Sequence, residues 1–129
     1  MQWKRCFETG ISKIDEEHKM LVDLVQKLEG TMYKGNCTAD TGLVLKELVK
    51  YVKIHFQDEE EVMKRAGYPE LERHKMLHKD LVHDVASILI SFKNGKEWTT
   101  CELVGFLNYW LRNHILEEDV KIGQFLGLV

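Results

Sequence analysis

The sequence is poor in several features that direct a chain toward particular classes of protein. Its single proline, Pro69, leaves room for long uninterrupted helices. No apolar run approaches the roughly 18 residues of a membrane span, and the N-terminal stretch lacks the apolar segment of a secretion signal. We therefore expect a cytoplasmic protein with no membrane association, built as one domain over residues 1–129.

Neither charge nor cysteine content indicates a common class of partner. The 18 basic and 21 acidic side chains give a net charge of −3, which provides no general attraction to nucleic acid. The three cysteines, Cys6, Cys37 and Cys101, are widely spaced and form no CxxC pair. We expect reduced thiols rather than a disulfide framework or a thiolate zinc site.

Apolar residues recur at helical spacing in four segments, of which the first two lie in the N-terminal half. The first segment begins near Ser12, which is spaced from Asp15 as in a capping box. The second runs from about residue 38 to residue 66. Gly67 suits the end of the second helix, and Pro69 suits the first turn of the third.

The other two segments follow with equally short connections. The third extends from residue 71 to residue 92 and precedes the turn signal Asn94-Gly95. The fourth begins at Thr99, which has capping-box spacing to Glu102, and its period fades after Glu117. Four such helices predict an all-α fold, an antiparallel up-and-down four-helix bundle with an N-terminal arm.

Five of the six histidines fall on the apolar stripes of these helices, and each helix contributes at least one. They are His18, His55, His74, His78 and His114. Glu59 occupies a stripe as well, one turn after His55. Because buried imidazoles and carboxylates without partners are costly, their collection in one core indicates a shared metal. The imidazoles exceed what one tetrahedral zinc takes, and nitrogen and oxygen ligands without sulfur favour two iron ions, with manganese as the alternative.

The remaining histidine and the neighbouring acidic residues do not share this phase. His83 follows His78 by five residues, which turns it about 140° away on an ideal helix. We expect His83 at the surface, and likewise the acidic run of Asp58, Glu60 and Glu61.

The fourth segment leaves the choice of a second carboxylate open. Ideal helical spacing places Glu117 and Glu118 closest to His114. Asp119 reaches the same face only if the helix ends there or widens into a π-turn.

The motifs together resemble the hemerythrin family in its bacterial single-domain form. The resemblance covers nearly the whole chain and includes Trp3, Phe7, Gly10-Ile11, residues 14–18, residues 55–60, Met63, Gly67-Tyr68-Pro69, His74 with His78, and residues 110–115 followed by Asp119.

The resemblance implies reversible O₂ binding at a non-haem di-iron centre, for oxygen storage, delivery or sensing. It selects Asp119 over Glu118, and it implies that O₂ binds end-on as peroxide at a five-coordinate iron with two histidines. The implied ligands are His74, His78 and His114 on one iron, His18 and His55 on the other, and Glu59, Asp119 and an oxo or hydroxo group as bridges.

The resemblance also implies an apolar wall around the oxygen site. Its members are Leu21, Phe56, Trp110, Leu111 and Ile115. The sequence departs from the family pattern in the acidic pair Glu117 and Glu118, which crowds the approach to Asp119.

The alternative function is a di-iron enzyme acting on peroxide, nitric oxide or Fe(II). A ferritin-like oxidase usually carries Glu-x-x-His motifs on two helices, and this sequence has no such pair on its core stripes. We therefore expect an O₂-binding protein rather than an enzyme.

A third possibility is a sensory or interaction module with a separate partner, either an O₂-consuming enzyme or a signalling protein. The apolar tail would then be the contact surface; otherwise it packs on the end of the bundle. The tail comprises Ile122, Phe125, Leu126, Leu128 and Val129.

The helical phase of the third segment yields a paired test. His78→Gln should lose bound iron, because it removes a stripe imidazole, whereas His83→Gln should leave iron content and O₂ binding unchanged. Metal analysis of both purified variants measures this difference. Loss of iron from the His83 variant would show that the helix is phased differently.

Overall fold

A computed structural model describes residues 2–34, 38–95 and 100–129 and shows a bundle of four long helices. Helix α1 packs against α2 and α4, and α2 packs against α3. The predicted all-α four-helix bundle is confirmed. The elements are a 3₁₀ turn at Arg5–Phe7, α1 at Ser12–Gly30, α2 at Ala39–Ala66, α3 at Leu71–Lys93, α4 at Thr100–His114, a π-turn at Ile115–Asp119 and α5 at Val120–Phe125.

Two predicted helix ends are confirmed. Gly67 ends α2 in the left-handed conformation with φ 68°, which a residue without Cβ adopts at little cost. Asn94 and Gly95 form the turn after α3, where Gly95 has φ 89°. Thr99, the expected cap of the fourth helix, and Cys37 lie outside the described residues, while Cys6 is free and exposed.

Two expected helix starts differ from the structure. Ser12 is already helical and Ile11 is the N-cap, so Ser12 and Asp15 form no capping box. The Asp15 carboxylate accepts hydrogen bonds from the backbone N–H groups of Thr9 and Gly10, at 2.8 and 3.1 Å. This bonding stabilises the N-terminal arm against α1. Pro69 lies in the turn before α3 rather than in its first turn.

The apolar core consists of two clusters. The larger one draws on all four long helices, with residues such as Leu21, Leu48, Leu81 and Leu107. The smaller one comprises Met63, Tyr68 and Ile122 and joins the end of α2 to α5.

Part of the apolar C-terminal tail packs on the end of the bundle, and part of it is exposed. Ile122 is fully buried, and the Phe125 ring contacts Tyr68 edge-on with centroids 5.4 Å apart. Leu126, Leu128 and Val129 remain exposed. None of the described helices is both long and apolar enough to cross a membrane.

Close packing between α5 and the N-terminal arm generates a stability prediction. A Cβ on Gly123 would overlap the backbone carbonyl oxygen of Thr9. Gly123→Ala should therefore lower the free energy of unfolding by about 1–3 kcal/mol, as overpacking typically does. Urea denaturation measures the change.

Gly105 provides the matched control, because it is an exposed α4 residue with no atom near an added Cβ. Gly105→Ala should be neutral or stabilise the protein by up to about 1 kcal/mol, because Ala favours the helix. Equal destabilisation by both substitutions would contradict the proposed contact.

Candidate metal centre

The seven polar residues predicted for the core are all buried and come from every long helix and the π-turn. Their exposed fractions lie between 0% and 7%, for His18, His55, Glu59, His74, His78, His114 and Asp119. By contrast, the side chain of His83 is 81% exposed, as its phase predicts.

These side chains form two overlapping groups, and within each group the potential ligand atoms lie within 4.8 Å of one another. Both carboxylates, Glu59 and Asp119, belong to both groups. The larger group adds His74, His78 and His114, and the smaller adds His18 and His55.

The Glu59 carboxylate directs one oxygen toward each set of imidazoles. Its Oε1 lies 3.0 Å from Nε2 of both His74 and His78. Its Oε2 lies 3.4 Å from Nε2 of His18 and 3.3 Å from Nε2 of His55. The side chain therefore spans the two groups.

The two carboxylate oxygens of Asp119 likewise face different sets of imidazoles. Its Oδ1 lies 3.0 Å from Nε2 of His74 and of His114, while its Oδ2 lies 2.9 Å from Nε2 of His18. Two carboxylates thus lie side by side between the three-histidine and two-histidine groups.

A π-turn brings Asp119 to this position. Residues Ile115–Asp119 form i→i+5 hydrogen bonds, which widen the turn and return the fifth residue after His114 to its face. Glu118, which ideal helical spacing favours, instead accepts two hydrogen bonds from the Arg73 guanidinium at 2.7 and 3.0 Å. That guanidinium also lowers the pKa of Glu118.

Two further carboxylates orient imidazoles from outside the cluster. Nδ1 of His55 lies 2.9 Å from Oε1 of Glu17, and Nδ1 of His78 lies 2.8 Å from Oε2 of Glu60. When Nδ1–H donates to these oxygens, Nε2 keeps its lone pair for the centre.

Sequence reasoning missed both orienting carboxylates. Glu17 lies off the predicted apolar stripe, and the expectation that Glu60 belongs to a solvated face is wrong, since its side chain bonds His78. Each is the direct neighbour of a residue on an apolar stripe. Glu17 precedes His18, and Glu60 follows Glu59. That adjacency was the available signal.

Burial and charge oppose each other throughout the cluster. Burial disfavours the charged form of His55, but Glu17 and Glu59 outweigh this effect and raise its pKa to about 10. Burial likewise disfavours ionisation of Glu59, yet the surrounding imidazoles hold its pKa well below the usual range. The buried carboxylates thus require nearby positive charge, which a metal cation supplies.

Several buried ligand atoms lie 2.9–3.4 Å from a neighbouring ligand atom but form no hydrogen bond of acceptable geometry among the described residues. They are Nε2 of His18, His55 and His114, Oε2 of Glu59 and Oδ2 of Asp119. A buried polar atom left in this condition costs about 1–3 kcal/mol. Since each can donate a lone pair, metal coordination would satisfy them together, and nitrogen with oxygen ligands suits iron. The residues present therefore fit a metal centre.

Aromatic rings cover two of the imidazoles. Phe56 stacks on His78 with centroids 3.7 Å apart and planes 3° apart, and Trp110 stacks on His114 at 5.4 Å and 21°. Ile115, which directly follows His114 in the sequence, is fully buried. Phe56 and His78 also line a surface groove between α2 and α3.

A small apolar cavity begins one helical turn from the cluster. Leu21 follows His18 by three residues, and Val52 precedes His55 by three. Leu21, Trp110 and Leu111 of the expected wall line this cavity, whereas Phe56 and Ile115 are not among its lining residues. The lining is Leu21, Val25, Leu48, Val52, Val85, Leu107, Trp110 and Leu111.

Comparison with known proteins gives a consistent family. The Hemerythrin HHE cation binding domain model matches residues 9–126. Bacteriohemerythrin of Methylococcus capsulatus is 34% identical over 128 residues, covering 98% of this chain and 97% of that protein. Myohemerythrin of Theromyzon tessulatum is 35% identical over 120 residues, covering 93% of this chain and 88% of that protein.

Solved structures agree with the sequence comparisons. A crystal structure of wild-type hemerythrin matches with a TM-score of 0.87 and 32% identity, covering 98% of this chain and 97% of that one. With a family model matched over most of its length and relatives this similar across nearly all of it, the chain belongs to the hemerythrin family.

Proposed function

We propose that this protein binds O₂ reversibly at a di-iron centre. The observation that carries the proposal is the division of Glu59 and Asp119, each of which directs one oxygen toward each histidine group. In this assignment His74, His78 and His114 would hold one iron, His18 and His55 would hold the other, and Glu59, Asp119 and an oxo or hydroxo group would be shared by both.

The unequal number of imidazoles would determine on which side of the centre O₂ binds. The group with three imidazoles offers one more ligand than the group with two, so the open position for O₂ would lie on the side of His18 and His55. When bound, the two Fe(II) ions supply that open position and the two electrons that O₂ takes up. Glu17 contributes by fixing His55, through its 2.9 Å contact with Nδ1.

The cavity favours an oxygen carrier over an enzyme. Its eight lining side chains are apolar or aromatic, and none of them is an acid or a base. Such a lining admits a neutral diatomic gas while making entry of water and anions costly. It also offers no group that could deliver a proton to bound oxygen, which an oxidase or peroxidase would require.

These features support a role in oxygen storage, delivery or sensing. We infer a cytoplasmic location and, for delivery or sensing, a separate O₂-consuming enzyme or signalling protein as partner. The exposed tail residues Leu126, Leu128 and Val129 offer a surface for such a contact.

Visible spectroscopy of the iron-loaded protein tests the proposed function. The reduced protein should develop a charge-transfer band in air and lose it when O₂ is removed, with two irons per chain by metal analysis. Direct and permanent conversion to a di-ferric spectrum would favour the enzymatic alternative. One tightly bound zinc per chain without iron would contradict both.

The stacking of Trp110 on His114 generates a second prediction. Trp110→Phe keeps most of the core volume while opening the wall, so water and anions should reach the iron more readily. The variant should fold, keep two irons and autoxidise several-fold faster than the parent in a time course of absorbance after aeration.

Tyr109→Phe is the matched control, because Tyr109 is the neighbour of Trp110 in the sequence but is 74% exposed. Its autoxidation rate should equal that of the parent. An unchanged rate in fully metallated Trp110→Phe would show that Trp110 is only a packing residue.

A further inference from the structure

A forked ion pair links the start of α3 to the π-turn. Nη1 of Arg73 lies 2.7 Å from Oε2 of Glu118, and Nη2 lies 3.0 Å from Oε1. The partners are 45 residues apart in sequence. Two parallel bonds of this kind fix direction as well as distance, which a single bond does not.

Each partner directly precedes a residue of the candidate centre. Arg73 comes before His74 and Glu118 before Asp119, and Nε2 of His74 lies 3.0 Å from Oδ1 of Asp119. The ion pair therefore joins, on the outside, the same two elements whose side chains meet on the inside. A shift of the π-turn relative to α3 would break both contacts.

The π-turn is the part of the centre that most needs such support. A π-turn is rare and interrupts the regular hydrogen bonding of the α-helix in which it lies. If residues 115–119 returned to α-helical spacing, Glu118 would face His114 and Asp119 would turn away. The ion pair holds the Glu118 side chain, which is 15% exposed, against the Arg73 guanidinium and away from His114.

We propose that Arg73 and Glu118 are positioning residues that keep the π-turn in register, so that Asp119 rather than Glu118 faces the metal centre. The inference rests on the proposed function for its consequence, which is retention of iron. Its structural part concerns the chain alone and is testable without metal.

Hydrogen–deuterium exchange of the metal-free protein tests the structural part. In Arg73→Gln and in Glu118→Gln, the backbone amides of residues 115–120 should exchange about tenfold faster, while those of α2 should not change. Unchanged exchange at residues 115–120 would overturn the proposal, whether or not the protein proves to bind O₂.

Iron and cobalt loading test the consequence. Both variants should lose iron to a ferrous chelator about tenfold faster than the parent, as expected for residues that orient ligands. The visible absorption of the Co(II)-loaded variants should also change, because it reports coordination geometry. Parent-like iron loss and an unchanged Co(II) spectrum would overturn the positioning role.

Two further variants separate positioning from general loss of an ion pair. Arg65 and Glu61 form an exposed pair at 2.9 Å within α2, so Arg65→Gln is the matched control and should change none of these readouts. The charge-reversed double variant, Arg73→Glu with Glu118→Arg, should restore slow exchange and slow iron loss. An equal effect of Arg65→Gln, or failure of the reversed pair to restore either property, would contradict the proposal.

Discussion

Two buried carboxylates facing five imidazoles are the constraint on which this structure depends. Glu59 and Asp119 lie at 0% and 1% exposure in a bundle whose interior is otherwise mostly apolar. A carboxylate buried in this way is strongly destabilising without positive charge or hydrogen bonds. Every long helix contributes an imidazole toward that compensation, so the phase of all four helices is tied to one site.

This constraint explains the irregular features of the fold better than packing does. A regular α-helix through residues 114–119 could not place both His114 and Asp119 at the centre. The π-turn is therefore a local cost that the site requires. A buried carboxylate also holds the N-terminal arm. Asp15, three residues before His18, accepts hydrogen bonds from Thr9 and Gly10.

How much the sequence predicts follows from what helical periodicity measures. Periodicity reports which residues of one helix share a face, and this was enough for the bundle and for the inward position of the five imidazoles and Glu59. It cannot report the flank on which two helices meet, so Glu17 and Glu60 were missed although each bonds an imidazole of another helix. It also assumes regular geometry, so Asp119 followed from family resemblance and not from spacing. Helix starts depend on single hydrogen bonds, which explains the errors at Ser12 and Pro69.

The site has an ionic part, where both ring nitrogens of His55 and of His78 face carboxylates, and an apolar part beside it. Nδ1 of His55 and of His78 faces a carboxylate that lies outside the cluster, while Nε2 of each faces Glu59. The ionic contacts would help to retain a bound cation, because they raise the basicity of the ligand nitrogens. One turn away, Leu21 and Val52 begin an apolar cavity that makes entry of charged species costly. In the proposed function, tight retention of metal and reversible exchange of a neutral gas would impose opposite demands on polarity, and the structure separates the ionic cluster from the apolar cavity along the bundle.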